Sequence, residues 1–302
     1  MSEVLDVMDV SVIVVHHNSP DTLLPTLDAL LSSGVPQDAI LLVDNSSAPE
    51  DREQATSIAG SNIEILHVDN RGYAAAVNEG LQHLSHNSSL RTFTLISTHE
   101  SLPAPRATGQ LRAVFDEDSS IAVSGPTLLD AASETGVWSI GGYLSKRLHL
   151  PRHIRPDKLM SATAAVVDRE WLDGAFTMYR THYLLENGLD ERYFLYFEET
   201  DLHTRLRRRN LRVVWVPDAV VSQLSSGIPA RLLGRNMFIF QSIHFSRTSG
   251  RFAVSFEAAR ALVRFVARGR GTLRAPFDIC RGWLEGESHI RSLRRASQRG
   301  DQ

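Results

Sequence analysis

The stretch Val10–Asp21, VSVIVVHHNSPD, decides the fold. Its first six residues are mostly β-branched and too few for a helix, so they read as a buried strand. Asn18-Ser19-Pro20-Asp21 breaks the run, and Leu23, Leu24, Leu27, Leu30 and Leu31 then recur at helical spacing as far as Gly34. The same unit repeats downstream. Ala39–Val43 is a second apolar run that stops at Asp44-Asn45-Ser46-Ser47, and Ile63–Val68 is a third that stops at Asp69-Asn70-Arg71-Gly72. A helical pattern through Ala74, Val77 and Leu81 leads to a fourth run, Phe93–Ile96. Repeated strand–loop–helix units predict an α/β fold with a mostly parallel central sheet flanked by helices.

The second half is less regular. Strands are expected at Ile121–Ser124, at Thr163–Val167 and at Ala175–Tyr179, the last two flanking Trp171-Leu172-Asp173-Gly174. Gly136–Leu150 reads as a loop or hairpin turning at Gly141-Gly142. Glu198–Arg209 reads as a helix, and Arg212–Val216 as a strand ended by Pro217. Beyond Pro229 the periodicity is helical nearly throughout. The expected division is therefore 1–228, with a nucleotide-binding half to about residue 125 and an acceptor half from 126, followed by a helical extension at 229–302.

Composition narrows the class. The 302 residues are 42% hydrophobic and 22% charged, and no stretch reaches the roughly 18 uncharged apolar residues of a membrane span. Met1–Asp6 is acidic and lacks the basic start of a secretory signal. Cys280 is the only cysteine, which excludes an internal disulfide and a cysteine-based zinc site and suits a reducing, cytoplasmic setting. From Pro229 onward, 14 arginines face five acidic residues. The remainder carries an excess of twelve negative charges, so the basic tail suits an anionic partner.

In an open α/β sheet, ligands sit outside the carboxyl ends of the strands. Those ends carry His16-His17-Asn18, Asp44-Asn45-Ser46, Asn70-Arg71-Gly72-Tyr73 and Ser97-Thr98-His99-Glu100. Any one of them is equally a turn signal; four together point to one crevice.

These blocks, with Tyr73-Ala74-Ala75-Ala76-Val77-Asn78-Glu79-Gly80, resemble the family 2 glycosyltransferases, particularly the rhamnosyltransferase-like branch. Trp171-Leu172-Asp173-Gly174-Ala175 resembles that family's WxxGA block, and Leu189–Leu202 its FDExFFxYxEDxDL block. Pro217-Asp218-Ala219 and Arg235-Asn236 match two shorter ones. The resemblance covers about residues 10 to 240. It implies a GT-A (Rossmann-like) fold and inverting transfer from a nucleotide sugar, with dTDP-rhamnose first and UDP-hexoses second as donor. The acceptor it implies is a glycan, a lipid-linked glycan or a small-molecule hydroxyl. A catalytically silent GT-A domain that binds nucleotide sugar or glycan is the competing class. A Rossmann dehydrogenase is a poor third reading, because no GxGxxG follows the first strand.

By that resemblance Asp44 hydrogen-bonds the base or ribose, with His17 and Asn18 in the same pocket. Asn70, Gly72, Tyr73 and Asn78 shape the nucleotide floor. Asn70 as a plain helix cap, and Asn78 as a backbone ligand, stand as the alternatives. Glu199 takes the place of the catalytic base. Trp171, Gly174, Glu198, Asp201 and Arg235 fall to the acceptor side or its support, an i,i+4 pair with Arg205 being the simpler account of Asp201. The family's metal-binding Asp falls on His99, between Thr98 and Glu100, and its later His on Gln223. No metal is therefore expected, and His99 as imidazolium or imidazole, Arg71 or Arg235 would meet the diphosphate. A register shifted by one would leave Glu100 to hold Mg2+ or Mn2+.

Phe252, Phe256, Ala259, Val263 and Val266 share one helical face beside Arg260, Arg264 and Arg268. That pattern suits peripheral contact of residues 251–270 with the inner face of an anionic membrane. Packing on the catalytic body or in a homodimer stands equally open. Nucleic-acid binding is not expected, because no reading motif accompanies the basic residues.

Overall fold

A computed structural model describes residues 7–46, 48–130, 136–154, 166–224, 227–268 and 271–300. Ser47 and the first part of the strand expected from Thr163 lie outside these residues. The chain divides into two compact units. One holds the residues up to Tyr143, then His153–Phe194 and the chain from Glu198 to the last strand; the other holds Leu144–Arg152, Leu195–Phe197 and the C-terminal helices.

The first unit is built on a curled sheet. Strands β1 (Val10–His16), β2 (Ile40–Asp44), β3 (Glu64–His67) and β4 (Phe93–Thr98) alternate with helices α1 (Pro20–Ser32), α2 (Pro49–Ala59) and α3 (Tyr73–His86). All four strands run parallel, in the order β3-β2-β1-β4. The chain continues through β5 (Ser101–Pro103), α4 (Ala107–Glu117), β6 (Ile121–Asp130), β7 (Val137–Ser139), β8 (Gly142–Leu144), β9 (Pro151–His153), β10 (Val167–Asp168) and β11 (Phe176–Arg180). Helices α5 (Thr181–Asn187) and α6 (Glu198–Arg208) and strand β12 (Arg212–Gln223) complete the unit. β11 lies antiparallel between β4 and β6, and β12 parallel to β6.

Alternation along a strand sends successive side chains to opposite faces. Val10, Val12 and Val14 pack into one apolar layer with Leu23, Leu27 and Leu30 of α1 and Leu111 and Phe115 of α4. Ile13 and Val15 face the other layer, with Val77 and Leu81 of α3 and Leu202 and Leu206 of α6. The sheet is thus covered on both sides, as the continuous apolar strands require.

Two sequence expectations are corrected. β12 does not stop at Pro217 but runs on to Gln223; its register against β6 breaks between Trp215 and Val220, and this irregularity accommodates the proline. Gly141-Gly142 is not the turn of a hairpin, because β7 leaves to pair with β6 and the later ribbon turns where Ser145 N donates to Leu150 O.

The second unit contains α7 (Ala230–His244), α8 (Arg247–Arg268) and α9 (Ala275–Gly300). α7 and α9 touch backbone to backbone at glycines: a Cβ on Gly234 would fall 2.1 Å from Ile279 O, and one on Gly282 1.9 Å from Arg231 O. Asn236 Nδ2 donates to Leu195 O and Tyr196 O, fastening the aromatic segment to α7.

Candidate functional site

Strand register gathers most of the expected residues at one edge. His16 lies opposite Asp44 in the β1–β2 pair, and Val15 opposite Thr98 in the β1–β4 pair. Asp44 is wholly buried there. Its Oδ1 accepts from His16 Nδ1 at 2.8 Å and Ser46 Oγ at 2.6 Å, and its Oδ2 from His67 Nδ1 at 2.9 Å. Burial pushes this carboxyl up, but the bonds from His16, Ser46 and His67 outweigh it and hold the group at about 2. Asp44 is therefore an ionised hub that locks the loops after β1 and β2. His17 Nδ1 donates to Asn45 O at 3.2 Å, and Asn18, exposed with φ 47°, donates its N–H to Ser46 Oγ.

His99 follows β4 and packs edge-on to His16, with ring centroids 5.1 Å apart. Its Nδ1 lies 3.1 Å from Val15 O, which only accepts, so the proton is on Nδ1 and Nε2 carries the lone pair. Burial lowers this imidazole to about 4, against a smaller rise from the Val15 bond. At neutral pH it is uncharged, so of the two forms left open the neutral imidazole is the one present. Thr98 Oγ1 shares a hydrogen bond with Ser101 Oγ at 3.0 Å, and Thr98 N and Ser101 Oγ both donate to Ala175 O.

That last contact ties β4 to the Trp171–Ala175 loop, where Glu199 lies. Glu199 stands at the head of α6 and is half-buried, between the buried Glu198 and Thr200. A Cβ on Gly174 would sit 3.4 Å from Glu199 Cβ, so the loop lies directly against the glutamate. Burial first, then the charges of Glu198 and Asp173, raise the Glu199 carboxyl well above the usual range. Tyr73 OH donates to Gly174 O at 2.8 Å, joining α3 to the same loop. His203, one turn beyond Glu199, accepts from Leu172 N at 3.1 Å through Nδ1 and meets Tyr179 OH at 3.0 Å through Nε2. Burial lowers its imidazole to about 3. His16, His67, Asp173 and His203 escaped the sequence reading as site residues; only the His16-His17 doublet and the Asp within Trp171–Gly174 gave a local sign.

Several expected ligand contacts are met inside the protein instead. Gly72, with φ +102°, lies against Phe194: a Cβ would come within 2.2 Å of Phe194 O, and Tyr73 N donates to that oxygen. The close approach expected of a ligand is made by the chain itself. Asn70 Oδ1 accepts from Gly72 N, a local turn. Asn78 bonds Leu189 through both ends of its amide and also reaches Glu191, so it holds the loop before the aromatic segment. Asp201 is buried and bonded to Arg205 and Tyr193, a supporting role. Trp171 is buried, its indole N–H donating to Tyr143 O. Arg71 is engaged by Glu79 and Glu191. Arg235 belongs to the second unit and donates to its neighbour Asn236.

Residues 11–158 match the family model described as Glycosyl transferase family 2. Over those residues the chain is similar to that family. Its fold is GT-A. Among solved structures it resembles GalNAc-T7 with UDP, GalNAc and Mn2+, at a TM-score of 0.62 and 15% identity over 83% of this chain and 51% of that one. It also resembles the mannosyltransferase PcManGT from Pyrobaculum calidifontis in complex with GDP-Man and Mn2+, at 0.57 and 13% over 92% and 86%. A third likeness is to S. aureus TarS 1-349, at 0.56 and 14% over 93% and 80%. The chain spans about half the length of GalNAc-T7. No curated protein matches it.

Two of these GT-A neighbours carry Mn2+. In this protein Ser101 pairs with Gln223 across β5 and β12, which sets both expected metal positions at one end of the sheet. Gln223 Oε1 is buried without a hydrogen-bond partner, and His99 Nε2 lies 3.9 Å from Glu100 Oε1. Among the described residues no three His, Cys, Asp or Glu side chains are grouped to hold an ion. One imidazole, one neutral amide and one carboxylate that burial raises do not make the carboxylate site a hard dication prefers.

Proposed function

We propose that the protein is an inverting glycosyltransferase that moves a sugar from a nucleotide-activated donor to a hydroxyl. The observation that carries this reading is Glu199, half-buried at the head of α6 with its carboxyl raised by burial and by Glu198 and Asp173. As the acceptor oxygen attacks the anomeric carbon, Glu199 takes its proton while the bond to the diphosphate breaks on the opposite face. A carboxylate lifted in this way is a stronger base once ionised. Gly174 and Tyr73 keep the loop beside it in place, and the His99 Nε2 lone pair accepts from a donor hydroxyl. Asp44 acts by fixing His16 and His67 rather than by touching the nucleotide.

The rhamnosyltransferase-like motifs favour dTDP-rhamnose as donor, then a UDP-hexose. The acceptor is a glycan, a lipid-linked glycan or a small-molecule hydroxyl, and the C-terminal helices suit peripheral membrane contact at the cytoplasmic face. Transfer proceeds without a required divalent ion, because the donor set around His99 is poor in carboxylates. The diphosphate charge is met instead by the dipole of α3, whose first turn holds no acidic residue, although the Gly72 and Tyr73 N–H groups are already bound to Asn70 and Phe194.

The test is a panel of nucleotide sugars read by hydrolysis and by thermal stabilisation. Wild-type protein is expected to hydrolyse one donor, and Glu199→Gln to be stabilised by that donor without turning it over. Stabilisation of the wild type with no turnover of any donor would make the protein a binding module.

A further inference from the structure

α8 is packed with its apolar stripe outward. Phe252 is 63% exposed, Phe256 47%, Val263 60% and Val266 74%, and all four share one helical face. The side turned inward carries Ala253, Val254 and, against ordinary patterning, Glu257. Glu257 is held there by Arg152 and by Arg260, whose Nε donates at 2.8 Å. α9 repeats the arrangement: Ile279 and Glu287 are buried, whereas Phe277 and Leu284 are 70% and 64% exposed, with Arg274 and Arg281 on the same outer face.

The charges of these helices are sorted in the same sense. Glu257, the one acidic residue of α8, is taken inside. Glu287 is shared by Arg247, Arg251 and Arg291, which lower its carboxyl. The outer surface of α8 is left with phenylalanine and valine bordered by arginine, whereas on α9 the strongly exposed Arg274 and Arg281 stand beside the less exposed Asp278 and Glu285. A second copy meeting this surface about a two-fold axis would set arginine against arginine. An anionic sheet of lipid accepts both components, the rings entering the acyl boundary and the guanidinium groups meeting phosphates.

We infer that the outer faces of α8 and α9 are a docking surface for an anionic lipid bilayer, with Phe252, Phe256 and Phe277 as the inserted residues. The inference is independent of the chemistry in the first unit.

The full chain is sedimented with vesicles of phosphatidylglycerol and phosphatidylcholine in equal parts, and with phosphatidylcholine alone, without nucleotide sugar. Binding to the anionic vesicles only, weakened by added salt, is expected. Phe252→Ser with Phe256→Ser is expected to lower it about tenfold, and Arg274→Gln with Arg281→Gln to reduce its salt dependence. Both pairs are exposed, so circular dichroism and nucleotide-sugar hydrolysis stay at wild-type levels. Absence of wild-type binding to anionic vesicles overturns the inference, as does binding untouched by either pair. A concentration-dependent dimer that the phenylalanine pair dissolves, without vesicle binding, gives the face to a second copy instead.

Discussion

Glu199 and Asp44 are both carboxylates near one sheet edge, and their surroundings drive them in opposite directions. Four donor contacts around Asp44 overcome burial, whereas Glu199 meets burial and two like charges with one hydroxyl, Thr200, to offset them. The sign for Glu199 follows from its raised pKa: it works as a base only when ionised, so transfer rises with pH through a midpoint above the ordinary 4.5. Glu199→Gln is expected to cut transfer by a factor on the order of 10² to 10⁴ and to remove that limb of the profile. The same substitution is expected to raise the melting temperature, because a raised carboxyl contributes stability below its unfolded pKa and loses it as pH rises. The difference from wild type therefore widens above about pH 4.5, and calorimetry across pH checks it; a melting temperature that falls instead would refute the account of Glu199 as a penalised buried charge. Asp44 carries the other sign. Its stabilisation is present above the ordinary 3.8 and fades as pH falls toward about 2. Asp44→Asn is expected to cost about 1–3 kcal/mol near neutrality and nearly nothing at the acid end, measured by urea unfolding.

At the scale of elements, the start of α3 joins the two halves of the first unit. Gly72 N is held by Asn70, Tyr73 N donates to Phe194 O, and Tyr73 OH reaches Gly174 O. Phe194 itself has φ 65°, a strained backbone against Gly72. Gly72→Ala is expected to destabilise the fold by about 2–5 kcal/mol, combining left-handed strain with a clash against Phe194 O. A denaturation midpoint unchanged from wild type would show that the segment yields. The Asn70–Gly80 block stood out in the sequence, but its partner did not. A motif shows which residues are unusual, whereas the atoms that Gly72, Tyr73 and Asn78 meet lie over a hundred positions away and are brought there by the fold.

At the scale of the whole molecule, the charge of the departing diphosphate is the open term in the chemistry. His99 is uncharged and Arg71 is committed to Glu79 and Glu191, so the proposal leaves this charge to the dipole of α3. Transfer by protein purified without metals is expected to be unchanged by excess EDTA and by added Mg2+ or Mn2+. Loss in EDTA restored by Mn2+ would return the ion to the site, with Glu100 its carboxylate ligand. Among the described residues no helix is long and apolar enough to cross a membrane.

The sequence by itself determined the strand–helix alternation of residues 10–98, because uninterrupted apolar runs ended by Asn, Asp and Ser admit few other readings. It also made Glu199 the candidate base, whose block sits at one chain position whatever surrounds it. Periodicity gave the apolar stripe of α8 as well, since helical spacing is local. Tertiary structure alone decided which way that stripe points, because burying Glu257 against Arg152 and Arg260 turns the phenylalanines outward. It likewise decided that Asp44 faces His16 and His67, that Asn78 holds Leu189, and that His99 is uncharged. Each of those outcomes depends on desolvation and on donors contributed by distant strands, and neither is visible in the order of residues along the chain.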